Sequence, residues 1–180
     1  MPENIQNIIK NILRDIRVEM ADEFDQNFER QAFFSEKWQR RKSPIRNNGR
    51  AILTDTGRLR SSIHSRITSN SVIFYTDLPY AAIHNDGGEI VVTPRMKRYF
   101  WAKYREANGG TWARKKTGTN TPEADFWKFL ALKKAGTTIR IPRRRFLGKS
   151  PEVEKAVRDI IEENLNGYVE EVINAHITRK

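Results

Sequence analysis

Ser150-Pro151-Glu152-Val153-Glu154-Lys155-Ala156-Val157, continuing as RDIIEENLNGYVEEVI to Ile173, reads as one long amphipathic helix. Ser150 can cap the first free N–H groups, and Pro151 suits the first helical position. Glu152 and Glu154 sit in the first turn, where the helix dipole favours an anion. Val153, Ala156, Val157, Ile160, Ile161, Leu165, Tyr168, Val169, Val172 and Ile173 then recur as a single apolar stripe. The opposite end of the chain repeats this pattern. Ile5, Ile8, Ile9, Ile12, Ile16, Met20, Phe24 and Phe28 are spaced by threes and fours, predicting a helix from about residue 3 to about residue 34. At about 1.5 Å per residue that helix would run roughly 48 Å, longer than a small core needs. Its aromatic end, Phe33, Phe34 and then Trp38, is read as core.

Inside these brackets the pattern shortens. Residues 35–50 (SEKWQRRKSPIRNNGR) contain Pro44 and the turn pair Asn48-Gly49, and read as a basic, mobile loop. Thr54-Asp55-Thr56-Gly57 offers Asp and Thr caps for a short helix carrying Leu59 and Ile63. A hairpin follows, about 63–68 with 71–76, turning at Ser69-Asn70; Val72–Thr76 reads as a buried strand. Pro79–Asn85 (PYAAIHN) reads as a helical turn stopped by Gly87-Gly88, whose freedom at positive φ allows reversal into a strand at Ile90. Tyr80 and Ile83 are expected beneath that turn, with His84 capping or bonding nearby. Residues 95–136 differ in kind, with helical segments at about 95–106 and 123–134 around a polar stretch, 108–122. Thr137–Ile141 resumes as a strand before Pro142. The expected fold is α+β: a small antiparallel β-sheet flanked by long N- and C-terminal amphipathic helices, with a basic aromatic-rich insertion. One domain over residues 1–180, with the insertion at about 93–137, suits the length.

Charge is segregated. Residues 1–36 carry 4 basic and 8 acidic side chains, residues 37–149 carry 25 and 7, and residues 150–180 carry 4 and 7. The chain's net charge of +11 therefore sits in its middle. Such a pattern suits binding to an acidic protein or to nucleic acid. Cysteine is absent, which removes disulfides and thiolate metal sites. The N-terminal segment lacks the apolar run of a signal peptide, and no stretch approaches a membrane span.

Reactive chemistry finds little support. The three histidines, His64, His84 and His176, have no metal-ligand spacing, and no HExxH occurs. His84 beside Asp86 and near Asp77 could form a base and its orienting carboxylate, but a lone histidine at a glycine turn is more often structural. Neither Gly87-Gly88 nor Gly109-Gly110 belongs to a phosphate loop. No catalytic residue, metal or cofactor is expected. Three basic clusters remain, with six Lys/Arg in 37–50, eight in 95–116 and seven in 133–149. The second is interleaved with Tyr99, Phe100, Trp101, Tyr104 and Trp112, a composition shared by single-strand grooves and protein hot spots. No sequence-reading nucleic-acid motif accompanies it. Arg40, Arg41, Lys42, Arg95, Lys97, Arg98, Trp101, Trp112, Arg114, Lys115, Lys116, Arg143 and Arg144 are the candidate partner or DNA contacts.

Three blocks stand in order: Leu53–Ile63 (LTDTGRLRSSI), Tyr80–Gly88 (YAAIHNDGG), and IPRRRFLG from Ile141 to Gly148 just before the capped helix. This arrangement resembles the phage virion morphogenesis, or tail completion, family of contractile-tailed phages. Residues 51–88 and 139–172 carry the resemblance. The roughly 50 residues between Gly88 and Ile139 are longer than the family core requires. The resemblance implies a non-enzymatic structural protein of the virion, at the head–tail junction or tail end, made in the bacterial host cytoplasm. It further implies a ring-forming subunit touching other neck or tail proteins (tail tube, terminator or connector). The basic middle adds non-specific contact with genome DNA as an expectation, and the lack of a span predicts none with membrane. Carried over, Thr54, Gly57, Leu59, Arg60 and Ser62 form a core motif. Tyr80, Ala81, His84, Gly87 and Gly88 form a corner, and Pro142, Arg145, Phe146, Leu147 and Gly148 form the approach to the last helix. The rival reading is a non-specific nucleic-acid-binding or nuclease-like protein using the 95–116 cluster and His84.

Overall fold

The structure is a computed structural model that describes residues 2–41, 51–109 and 121–177. Helix α1 (Pro2–Arg30) and helix α6 (Pro151–Ile177) pack side by side as the long elements. Ser150 caps α6 as its sequence predicts, its Oγ accepting from Val153 N at 3.2 Å. The stripes of the two helices meet over part of their length only. Ile16, Met20 and Phe24 of α1 bury against Ile160, with Val153, Ala156, Val157 and Ile161 beside them. Val153 and Val157 share a groove with Met20 and Phe24, whereas Gly167, Tyr168 and Glu171 share one with Ile8 and Asn11, so the helices run antiparallel.

Helix α1 stops four residues earlier than its apolar spacing predicts. Gln31 adopts φ 55° and turns the chain into β1 (Ala32–Phe33), which pairs antiparallel with β2 (Glu36–Lys37). The gain is tertiary. Gln31 Nε2 donates to Phe28 O at 2.5 Å and Ile52 O at 3.1 Å, and Phe33 folds back to stack on Phe24. Trp38 is core, as read, packing edge-on against Phe28 at 5.5 Å. The rest of the basic loop read as mobile, residues 42–50, lies outside the described residues, as does 110–120 of the polar stretch.

Helix α2 (Arg58–Ser61) is a single turn whose N-cap is Gly57, at φ 69°, without a side-chain cap; Asp55 and Thr56 do not take that role. The hairpin forms as predicted, β3 (His64–Ile67) with β4 (Val72–Tyr75). Its second strand is not fully buried, however. Val72 and Phe74 face the core, while Ile73 and Tyr75 are exposed, because the ribbon has a layer over one face only. Helix α3 (Ala81–Asp86) ends at Gly87, and β5 (Gly88–Val91) pairs antiparallel with β6 (Thr138–Ile141). The fold is α+β, and among the described residues the strands form three separate two-stranded ribbons where one small sheet was expected. The β5–β6 ribbon carries helix α4 (Pro94–Ala107) and helix α5 (Pro122–Leu132), close to the predicted bounds. Thr93 and Thr121 cap them, each with proline following, and Phe100, Leu130 and Ala131 form their shared core.

Candidate assembly surface

The three sequence blocks meet in space. Leu59 from the first, Ala81 from the second and Phe146 from the third bury together with Phe28 and Trp38. The meeting is tied by polar bonds to a strap, residues 143–148, that runs over α3 and α1. Asn85 Oδ1 accepts from Phe146 N and Leu147 N, both at 3.0 Å. Arg144 N donates to His84 O at 2.8 Å, Asn27 Nδ2 donates to Phe146 O at 3.3 Å, and Trp38 Nε1 donates to Arg145 O at 2.5 Å. Asn27, completely buried, also accepts from Phe34 N at 3.0 Å. Buried backbone groups need such partners, since an orphan costs about 1–3 kcal/mol.

The remaining motif residues build the same knot. Arg60 donates through Nε to Asp25 Oδ1 at 2.5 Å and through Nη2 to Asp25 Oδ2 and to Glu29 Oε1, the last at 2.8 Å, bracing α2 on α1. Ser62 Oγ contacts Thr76 Oγ1 at 2.7 Å and donates to Leu59 O, while Thr54 Oγ1 donates to Ala51 O at 3.0 Å. Tyr80 is exposed and meets His84 edge-on, so it does not lie beneath the turn; Ile83 does, its Cδ1 being 2.7 Å from where a Cβ on Gly88 would stand. Pro142 follows β6, half-buried. Arg145 lays its guanidinium over the Phe33 ring at 4.8 Å, and Gly148, at φ 132°, leaves that group room. Leu147 bridges both main core clusters.

His84 does not form the base pair weighed for it. Its Nδ1 is buried with no hydrogen-bond partner, and Asp86 instead accepts from Asn85 Nδ2 at 2.8 Å. Burial, and then the charge of Arg144, push the imidazole below its ordinary value. Among the described residues no group of three or more His, Asp or Glu is clustered for a metal.

Of the candidate contacts, Arg40, Arg95, Arg98, Trp101 and Arg143 are exposed, and Arg41 and Lys97 are half-buried. Arg144 departs from the expected solvent-facing role. It is only 8% exposed, its Nε donates to Gln39 O at 3.0 Å, and burial beside Arg41 pushes its guanidinium below its usual value. Lys42, Trp112, Arg114, Lys115 and Lys116 lie outside the described residues. Sequence reading missed Asn27, Asn85 and Asp25 as parts of the knot. Asn27 had a signal: it is a polar residue three after Phe24, on the apolar stripe itself.

Two predictions follow from these bonds. Asn85→Ala strands two backbone N–H groups, so it is expected to destabilise by about 2–3 kcal/mol, with Asn85→Asp losing less because it keeps the acceptor; denaturant titration measures both. The Arg60 hydrogen bonds hold the Asp25 carboxyl below its ordinary value. The folded group thus stays ionised where the unfolded one protonates, and its contribution is present above about pH 4 and lost as pH falls below it. Asp25→Asn should therefore lose stability relative to wild type at pH 7, and the gap should narrow as pH falls below about 4; a gap that does not narrow rules the pair out as the cause.

What the site presents is a packed, hydrogen-bonded knot with no catalytic or metal-binding cluster among the described residues. A sequence model of the phage virion morphogenesis family matches residues 6–166, a span that contains all three blocks and the α4–α5 pair. The chain belongs to the phage virion morphogenesis family. No curated protein and no solved structure matches the chain. Membership in the virion morphogenesis family makes the chain a structural protein of virion assembly, associated with the virion and interacting with other phage structural proteins. Among the described residues no helix is long and apolar enough to cross a membrane.

Proposed function

We propose that this virion morphogenesis protein is a tail completion or head–tail connector (neck) subunit, which forms a ring and makes the head–tail joint competent. One observation carries the reading. The three family blocks converge on a knot of packed apolar and backbone-bonding residues that sets a shape, in a chain whose basic charge lies in its middle, between acidic ends. On this reading residues 1–180 act as one unit, and the segment at about 93–137 is an insertion on that unit. Its neighbours are the tail tube, terminator or connector, with the basic middle also meeting genome DNA without sequence preference. The subunit has no catalytic task.

Mass spectrometry of purified virions, with particles made in its absence, tests the proposal. The protein is expected in mature particles, and its loss should leave filled heads and tails unjoined. Normal joined particles without it would end the idea. The nuclease-like rival predicts metal-dependent DNA cleavage abolished by His84→Ala. The unpartnered His84 Nδ1 and the engagement of Asp86 with Asn85 weigh against it.

A further inference from the structure

We infer that the outer face of α4 in one copy of this chain binds the distal half of α6 in the next copy, an inference that rests on the ring reading above. The stripes that build the core run out before the helices do. On α6 the members of the buried core end at Ile161 and Tyr168 beyond it is half-buried beside α1, yet a second apolar line continues through Leu165, Val169 and Ile173, which are 44%, 52% and 51% exposed. From Glu162 to Ile177 this half-helix carries Glu162, Glu163, Glu170 and Glu171 and no lysine or arginine. Such a surface needs an apolar partner with the opposite charge.

Helix α4 supplies one. Its 14 residues hold Arg95, Lys97, Arg98, Lys103 and Arg105 against a single acid, Glu106, which is engaged by Lys103 at 2.7 Å. Arg98, Trp101 and Arg105 are spaced by three and four, so they share one face, opposite the buried Phe100. Trp101 is exposed at 36%, and neither arginine pairs with a carboxylate among the described residues.

The spacing also fits. Arg98 and Arg105 straddle Trp101 with about 10 Å between them along the axis. On α6, Glu162 is three residues before Leu165 and Glu170 three before Ile173, which sets those acids about 12 Å apart. One helix laid on the other brings each arginine within side-chain reach of a glutamate, with Trp101 over Leu165 and Val169. Tryptophan and arginine are the residues that most often anchor such contacts. Because the two faces lie on different elements, each copy that uses one still offers the other. The contact is head-to-tail, and closes into a ring when its rotation allows.

Sedimentation velocity on the full chain tests this. Wild type is expected to self-associate, and Arg98→Glu/Arg105→Glu and Glu162→Lys/Glu170→Lys each to weaken that by at least about tenfold, through like charges placed face to face. An equimolar mixture of the two variants should recover association, since every contact is again acid against base. Failure of the mixture to recover, association of either variant as strong as wild type, or a wild type that stays monomeric overturns the inference. So does an arginine variant that loses salt-sensitive DNA binding while self-associating normally, which would make this face a DNA surface. Variants that still join heads to tails in extracts remove this interface and leave the head–tail reading standing. Particles that join without the protein remove that reading itself.

Discussion

Phe146→Ala is expected to lower the unfolding free energy by about 3–5 kcal/mol, the range for emptying an aromatic site in a closed core. Phe146 is 1% exposed and lies 5.4 Å from the Phe28 ring, with Trp38, Leu59 and Ala81 around it. Its neighbours cannot easily collapse into the space, because the strap is fixed from both sides. Asn85 holds its N–H and Asn27 its carbonyl. The lost ring therefore leaves a cavity and not a repacked core. Phe146→Leu should lose less, since it fills part of that volume. A shift of denaturant midpoint without change in slope is the signature, and a loss below about 1 kcal/mol would show that the three blocks do not share one core.

Gly87→Ala is expected to cost at least about 3 kcal/mol, more than a left-handed residue alone explains. Gly87 stands at φ 74° and ψ −177°, a region that essentially only glycine occupies. A Cβ there would also lie 2.8 Å from Arg143 N and 3.1 Å from Arg143 Cα, backbone atoms that have no rotamer by which to withdraw. Relief requires the strap to move off α3, breaking the Asn85 bonds. Gly57 is the control. It has φ 69° with nothing within 4 Å of an added Cβ, so Gly57→Ala should cost only about 1–2 kcal/mol. Equal losses at the two positions would remove the close approach as the cause.

Much of this molecule was legible as spacing. The α6 cap, the two helical stripes, the hairpin turning at Ser69-Asn70 and the helical segments at about 95–106 and 123–134 are local patterns, and local sterics and hydrogen bonding decide them. The glycine corner was readable for the same reason. The resemblance, too, was carried by local blocks. The end of α1 was not legible, because Phe33 continues the apolar pattern, and only the packing of its ring back on Phe24 makes leaving the helix favourable. Nor could the sequence show that Val72–Tyr75 would be covered on one side only.

The contact residues divide in the same way. Arg143 and Arg144 are neighbours of one type, yet the strap turns the first outward and the second against Gln39 and His84. Asn85 read as a turn residue and proves to be the acceptor for two distant N–H groups. By itself the sequence determined the family, the order of the main helices, the hairpin between them and the separation of acidic ends from a basic middle, since each depends on composition or on residues a few steps apart. Only the tertiary structure decided that Leu59, Ala81 and Phe146 share one core, and that the distal stripe of α6 is left open. Those are contacts across long stretches of chain, and spacing along a sequence holds no record of which distant surfaces meet.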